Sequence, residues 1–473
     1  LRRIEFRMSD SSYQGLNVTV MGLGTFGGSV GAIRFLVANG ARVTVTDLRS
    51  ATQLAPSIAQ LSETLPDVWR LGEHRLDDFL HADLIVASPA IPLTDPHLQA
   101  ARERGIPVTR EMNLFWRHNR GRVIAVTGTN GKSTTTALTH ELVSRAFPGR
   151  TWLGGNIGKS LLPEVDRIQP GDWVVLELSS FQLEDLAPLR PDVDVAVVTN
   201  FTPNHLDRHG TLERYRDAKQ TLLRTMSPGR IAILNQDDPD VATWSTQARV
   251  FWFGADDTGR EGTFIHGTDP FPRRAIFRLG QREQILPLGE WLTLPGLHNL
   301  RNALAATTAA LTLGAQASHV EEGTRAFRGL PHRLELVAEI GGVRYYNDSK
   351  STTPEATVLA LRAFRAPVWL IVGGYDKRID LGSMVREACA RPVRGVACVG
   401  QTGPALKEAF AATSPDVPAS LVGSVGEAAR WCAARATDGD VVLLSPGCAS
   451  LDQFENYEQR GKAFAEAVQA NTL

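Results

Sequence analysis

The heptad Gly128-Thr129-Asn130-Gly131-Lys132-Ser133-Thr134 has the residue types and spacing that grip a polyphosphate. It follows the apolar run Arg122 to Thr127 and leads into a helical pattern from Ser133 to Ala146, which is where a phosphate loop belongs. Gly131 lets the backbone close on phosphate, Lys132 supplies a point charge, and the Ser133 hydroxyl is placed to reach Mg²⁺. Val126 stands five positions before Gly131, so the loop is shorter than the general G-x-x-x-x-G-K-[ST] pattern. ATP is the expected ligand; the competing reading of a bare heptad is a capped helix start that binds nothing.

A second glycine pattern, Gly22-x-Gly24-x-x-Gly27, follows the strand-like run Asn17 to Met21, and Asp47 ends the next strand. That fits a dinucleotide fingerprint. Three readings stay open on these residues: a nicotinamide site, an empty strand-to-helix turn, or another nucleotide diphosphate held by the same backbone N–H groups.

Other chemistry-bearing residues are scattered along the chain. Glu177 closes the apolar run Asp172 to Leu178 and would flank the phosphate loop if the two strands are neighbours. A strand-end Glu is more usually a solvated charge. His205 follows the strand Asp194 to Asn200, where a structural histidine is the commoner case, and Lys219 in Tyr215-Arg-Asp-Ala-Lys219 reads by default as an exposed helix lysine. Asn299 and Asn302 lie one turn apart on one helix face, with an ordinary N-cap at Asn299 as the alternative.

Apolar strands alternating with helices point to an α/β protein with parallel sheets in three segments, 1–111, 112–329 and 330–473. Residues 250–295 change character and suggest a β insertion in the middle segment. Strands are expected at Val343 to Asn347, Val368 to Gly373, Gly395 to Gly400 and Val441 to Ser445, with a last helix from about Gln453 to Ala470.

At 473 residues the chain is too long for one core. Its net charge of −1 argues against a dedicated nucleic-acid binder. No apolar run reaches about eighteen residues, so no membrane span is expected. Cys389, Cys398, Cys432 and Cys448 show no metal-like or C-x-x-C spacing and suit free thiols in a reducing cytoplasm. Leu1 to Arg7 is basic without an apolar stretch, unlike a signal peptide, and Met8 is a candidate start behind a disordered extension.

The heptad resembles the ATP loop of the Mur ligase family, which adds amino acids to the peptidoglycan precursor, and of the related folylpolyglutamate synthases. Glu177-Leu178-Ser179-Ser180-Phe181-Gln182-Leu183, Asn347-Asp348-Ser349-Lys350 and the run from Leu444 through Ser445-Pro446-Gly447-Cys448-Ala449-Ser450-Leu451-Asp452-Gln453-Phe454 to Tyr457-Glu458-Gln459-Arg460-Gly461 resemble the D-glutamate-adding branch. The D-N-P-R motif of the diaminopimelate- or lysine-adding branch is not found. The matching motifs run from Gly22 to Gly461 in the family's order.

This resemblance implies a Rossmann-like N-terminal domain for the UDP substrate, a central P-loop-type ATPase domain, and a Rossmann-like C-terminal domain for the amino acid. The implied reaction joins D-glutamate to UDP-N-acetylmuramoyl-L-alanine through an acyl phosphate, giving ADP and phosphate. Lys132, Glu177, His205 and Lys219 would be catalytic. Two Mg²⁺ ions would be held by Ser133, Glu177, His205 and a carbamylated Lys219. Thr25, Phe26, Asp47, Arg49 and Asn156 would take the UDP substrate; Leu48 and Ala90 depart from the family's usual residues. Asn299 and Asn302 would meet adenine, and Arg333 and Asp348 the γ-phosphate and ribose. Thr352, Lys377, Ser450, Leu451 and Tyr457, where Phe is common, would hold D-glutamate. A monomer without nucleic-acid or membrane partners is expected. Rivals are a nicotinamide enzyme, a non-catalytic nucleotide-binding relative, and a ligase for another amino acid.

Overall fold

The computed structural model describes residues 13–24, 27–147, 149–267 and 274–470. Thr25 and Phe26, and the stretch around Met8, lie outside the described residues. The chain divides into two compact units. One comprises Leu1–Phe264, Phe277–Glu283 and Ala305–Gln316, the other Ile265–Ile276, Gln284–Leu304 and Ala317–Leu473.

The first unit opens with five strands, β1 (Asn17–Met21), β2 (Arg42–Asp47), β3 (Val68–Leu71), β4 (Leu84–Ala87) and β5 (Val108–Thr109). They form a parallel sheet in the order β3-β2-β1-β4-β5. The glycine loop leaves β1 at the middle of that sheet, while β5 is its edge.

Next come β6 (Arg122–Thr127), β7 (Thr151–Gly155), β8 (Trp173–Glu177), β9 (Val195–Val198), β10 (Ile231–Asn235), β11 (Arg249–Gly254), β12 (Gly262–His266), β13 (Arg274–Leu279) and β14 (Arg282–Leu286). Their order is β14-β13-β12-β11-β10-β9-β6-β8-β7. Within 250–295, expected as a β insertion, β11 to β14 continue the same sheet to its far edge, with β11 and β12 joining in parallel, while Leu288–Trp291 is helical. Strands β8 and β9 are buried along their whole length, which is why they read as unbroken apolar runs.

The second unit carries β15 (Glu335–Ile340), β16 (Val343–Asn347), β17 (Val368–Gly373), β18 (Val393–Val399), β19 (Ala419–Leu421) and β20 (Val441–Leu444), in the order β15-β16-β20-β17-β18-β19. All pairs are parallel except β15 with β16. Separate apolar clusters cover its two faces, one around Leu370 and Phe410, the other around Ile371 and Phe464. The last helix, Tyr457–Ala470, starts four residues later than expected from sequence, behind the Ser450 loop.

Candidate active site

In the first unit the phosphate loop leaves β6, whose neighbours are β8 and β9. Gly131 sits at φ 79° as the N-cap of the helix Lys132–Ala146, a left-handed conformation that suits glycine. The loop is anchored from the β9 side: Asn130 N–H donates to Asn200 Oδ1 at 2.8 Å, and Thr199 Oγ1 donates to Asn130 O at 2.6 Å. Lys132 Nζ folds back on Thr129 O at 2.8 Å. Ser133 is buried at the first turn of that helix.

Glu177 pairs in register with Val126, so it lies beside the loop on the next strand. It is 2% exposed. Its Oε1 accepts from Asn156 Nδ2 at 2.9 Å, while its Oε2 is buried with no hydrogen-bond partner. Asn156 follows β7, and its own N–H bonds Glu177 O at 2.8 Å. Gly155 makes this approach possible, because a Cβ there would stand 2.1 Å from Glu177 O. An orphaned anionic oxygen out of water is costly unless a cation or donor completes it.

Lys219 is 1% exposed, on the helix Leu212–Arg224, and its Nζ donates to Gly128 O at 2.6 Å. Burial and the charge of Lys132 hold its pKa well below the usual lysine value, with Glu177 opposing. The exposed helix lysine expected from spacing alone is thus a buried amine against the phosphate loop. His205 is exposed at φ 54°, opening the short helix Leu206–His209. Its ring meets Phe181 at 5.2 Å and Tyr215 at 6.1 Å, and the Tyr215 ring also lies 4.8 Å from Lys219 Nζ. Among the described residues no group of three or more His, Cys, Asp or Glu side chains could hold a metal.

Two residues without a role in the sequence reading tie this group together. The Tyr215 hydroxyl lies 3.1 Å from Thr129 Oγ1 in the loop. His209 is buried, stacked on Phe181 at 4.9 Å, with Nε2 2.9 Å from Ser180 Oγ. The i, i+4 spacings His205/His209 and Tyr215/Lys219 were the available signal.

At the first glycine loop, Asp47 Oδ2 accepts from Gly24 N–H at 3.2 Å, and Arg49 forks onto both Asp47 oxygens at 3.2 and 3.0 Å. Burial raises the Asp47 pKa, but bonds from Arg49 and Gly24 outweigh it and leave the carboxyl below its ordinary value. Of the residues expected on the UDP substrate, Asp47 and Arg49 are joined here and Asn156 stands with Glu177.

In the second unit Asp348, Lys377 and Ser450 follow the C-terminal ends of three adjacent strands, β16, β17 and β20. Asp348, after β16, is buried; it accepts from the hydroxyls of Ser351 at 2.6 Å and Ser445 at 2.8 Å, and from Leu334 N–H at 3.2 Å. Burial pushes its carboxyl up to about 6 against these bonds. Its oxygens thus hold the Arg333 turn to the β20 loop. Thr352 and exposed Lys377 line one small hollow with Thr402 and Cys448. Tyr375 N–H bonds Ala449 O at 2.9 Å, bringing the Lys377 loop against the chain that leads into buried Ser450 and exposed Leu451. Tyr457 O accepts from Ser349 Oγ at 2.8 Å, and Lys350 Nζ lies 5.6 Å from the Tyr457 ring.

Buried Arg460 donates to Ser349 O and Cys448 O at 2.8 and 3.0 Å, bracing both loops. Burial raises the Cys448 pKa, so it is no activated thiolate. Asn299 and Asn302 are buried and joined at 3.4 Å; neighbouring His298 is pushed down to about 4 by burial and by the charges of Arg333 and Arg301.

Three family models match in chain order: a Mur ligase MurD-like N-terminal domain over residues 16–110, a Mur ligase middle domain over 126–310, and a Mur ligase glutamate ligase domain over 332–448. The chain is 41% identical over 463 residues to the UDP-N-acetylmuramoylalanine–D-glutamate ligase of Acidobacterium capsulatum, covering 97% of both chains. It is 39% identical over 474 residues to the ligase of that name from Roseiflexus sp., covering 97% of this chain and 99% of the other. Its fold matches the UDP-N-acetylmuramate-alanine ligase of Thermotoga maritima at a TM-score of 0.63 and 18% identity, over 96% of this chain and 100% of that one. With its three domains matched in order and relatives alike from end to end, the chain belongs to the Mur ligase family.

Proposed function

We propose that this chain is a cytoplasmic ligase that uses ATP to join D-glutamate to UDP-N-acetylmuramoyl-L-alanine. The carrying observation is the register of β8 on β6, which sets buried Glu177 beside the phosphate loop with one oxygen held by Asn156 and the other unpartnered. The full-length relatives named for this D-glutamate ligation support the choice of substrates. The expected segments 1–111, 112–329 and 330–473 serve as the UDP-substrate, ATP and amino-acid domains.

Amide formation in water needs an activated carboxyl. A carboxylate oxygen of the muramoyl-alanine attacks the γ-phosphorus, and the bond to ADP breaks. The D-glutamate amine then attacks the acyl carbon of the acyl phosphate, losing a proton as phosphate leaves. Backbone N–H groups of Gly128 to Thr134 orient the triphosphate, and Lys132 balances its charge. Asn156 keeps the Glu177 carboxylate turned toward the loop. Asp47 and Arg49, with Thr25 and Phe26, receive the uridine end. Asn299 and Asn302 meet adenine, Arg333 reaches phosphate, and Asp348 sets the Arg333 turn beside the ribose. Thr352, Lys377, Ser450, Leu451 and Tyr457 receive D-glutamate.

The orphaned Glu177 oxygen and the Ser133 hydroxyl are hard-oxygen donors that would suit Mg²⁺ together with substrate phosphates, and His205 and Lys219 would hold a second ion. Bound Mg²⁺ would supply charge neutralisation at the transferring phosphoryl group. Lys219 is read as carbamylated: the amine in its unprotonated form adds to CO₂, a C–N bond forms as one C=O π pair moves onto oxygen to give a carboxylate, and an N–H proton is lost to solvent. The chain is read as a monomer acting on small molecules, without nucleic acid.

Phosphate release with the muramoyl-alanine nucleotide, ATP and a panel of D- and L-amino acids tests the reading. Turnover is expected with D-glutamate. Release with L-glutamate alone would replace the amine, and NADH binding without phosphate release would overturn the ligase.

A further inference from the structure

A cavity of about 530 Å³ lies in the first unit, at the edge strand β5. That volume is in the range of small-molecule sites, roughly 300–1,000 Å³. One wall comes from the segment around Leu93, Val108 and Arg117, the other from Phe181, Asp185 and Leu189. The first glycine loop leaves β1, two strands further into the sheet, so the cavity sits to the side of the nucleotide crevice.

Its chemistry is unbalanced. Four guanidinium groups, Arg102, Arg110, Arg117 and Arg208, line it against two carboxylates, Glu184 and Asp185. Arg110 is 4% exposed and largely committed: it donates to Ser88 O at 2.5 Å and Ile91 O at 3.0 Å, and its Nε faces Asp185 at 3.3 Å. Burial lowers the Arg110 pKa; Asp185 opposes this, and the charges of Arg208 and Arg102 add to the lowering. Asn113 Oδ1 is buried in the lining without a partner, although its Nδ2 donates to Asp185 O at 2.8 Å. Arg102, Arg117 and Arg208 are solvent-exposed at the rim of this cavity, while Arg110 and Asp185 pair at its buried end, so an anion entering from solvent meets three positive charges together.

Arg208 divides this space from the loop after β4. Its guanidinium lies 3.9 Å from the Phe181 ring and donates to Pro89 O at 2.5 Å. It is also three residues after His205, so whatever contacts Arg208 acts on the loop that carries His205.

We propose that this cavity is a second small-molecule site, one that takes an organic anion, a carboxylate or a phosphate monoester on an apolar ring-sized body. The apolar body packs against Leu93, Val108 and Leu189, and the anion meets Arg102, Arg117 and Arg208. A ligand held there bridges the two walls without entering the nucleotide crevice.

Binding of 2-naphthyl phosphate and naphthalene-2-carboxylate to the full chain, measured by calorimetry without ATP or D-glutamate, tests this independently of the ligase reading. Saturable one-to-one binding is expected, at least about tenfold tighter than neutral 2-naphthylmethanol. The tighter of the two anions assigns the headgroup. Arg102→Glu with Arg117→Glu should weaken binding by about tenfold or more. Leu93→Trp, which fills the cavity from a partly exposed position, should abolish it. Both variants should keep basal phosphate release within about twofold, which also reports that they fold. Absence of saturable binding, displacement by the muramoyl-alanine nucleotide, or equal binding by folded variants would overturn the proposal.

Discussion

His209 Nε2 lies 2.9 Å from Ser180 Oγ, a buried bond that ties the His205 turn to the helix start three residues beyond Glu177. Its ring stacks on Phe181 and lies 5.2 Å from Tyr215, which reaches the phosphate loop. His209→Phe keeps a stacking ring but removes the bond. It should lower kcat about tenfold with KM for ATP within about twofold, and lower stability by about 1–3 kcal/mol as the Ser180 hydroxyl loses its partner. Unchanged kcat per folded molecule would make His209 purely structural.

Lys219→Ala should lose about 10³-fold in kcat, with no recovery on added bicarbonate. Labelled bicarbonate should give the wild-type chain a carbamate carbon signal that the variant lacks. A variant of full activity, or a wild type with no such signal, would remove the modified lysine from the mechanism.

Glu177→Gln keeps an acceptor for Asn156 but removes the charge at the orphaned oxygen. kcat should fall about 10²–10³-fold, and half-saturation by Mg²⁺ should rise at least about tenfold. If Mg²⁺ titrates the variant as it does the wild type, Glu177 is no ligand.

Glu111 opens the helix Glu111–His118, and Ser160 Oγ donates to its carboxyl. Burial pushes that carboxyl up to about 7, with the Ser160 bond opposing. The folded state therefore holds a proton that the unfolded chain releases near pH 4.5. Stability from this group is full below that pH and is lost as pH rises through about 7, by up to about 3 kcal/mol. Glu111→Gln should flatten this dependence, so urea midpoints of wild type and variant should converge at pH 4.5 and separate by pH 8. Parallel curves would contradict it.

The buried parallel strands were legible because both faces are covered, which makes runs such as Trp173–Glu177 and Val368–Gly373 continuously apolar. Strand β7, Thr151–Gly155, carries no strand signal in the sequence, because two glycines end it and none but Gly154 is fully buried; only pairing with β8 makes it a strand. Strand β3 is half-buried throughout and carries no alternation. At the site, residue types and order point to the phosphate loop, whereas Glu177 is singled out by the resemblance, a strand-end Glu being otherwise a solvated charge. Burial could not be read from them: Tyr215-x-x-x-Lys219 looks like an exposed polar helix until it packs against Gly128. Nor could Asn156 be joined to Glu177 before β7 and β8 were known to be adjacent.

Gly155 has a bearing on how the enzyme tolerates mutation. Its missing side chain lets β7 close on Glu177 O and brings Asn156 within reach. A side chain there would strain the backbone at φ 91° and push against Glu177 O, so the fold and the Asn156–Glu177 contact would be disturbed at one position. An inhibitor that leans on the backbone of Gly155 would therefore press on a spot with few escape routes, where a resistant variant must give up the Asn156–Glu177 pairing to survive.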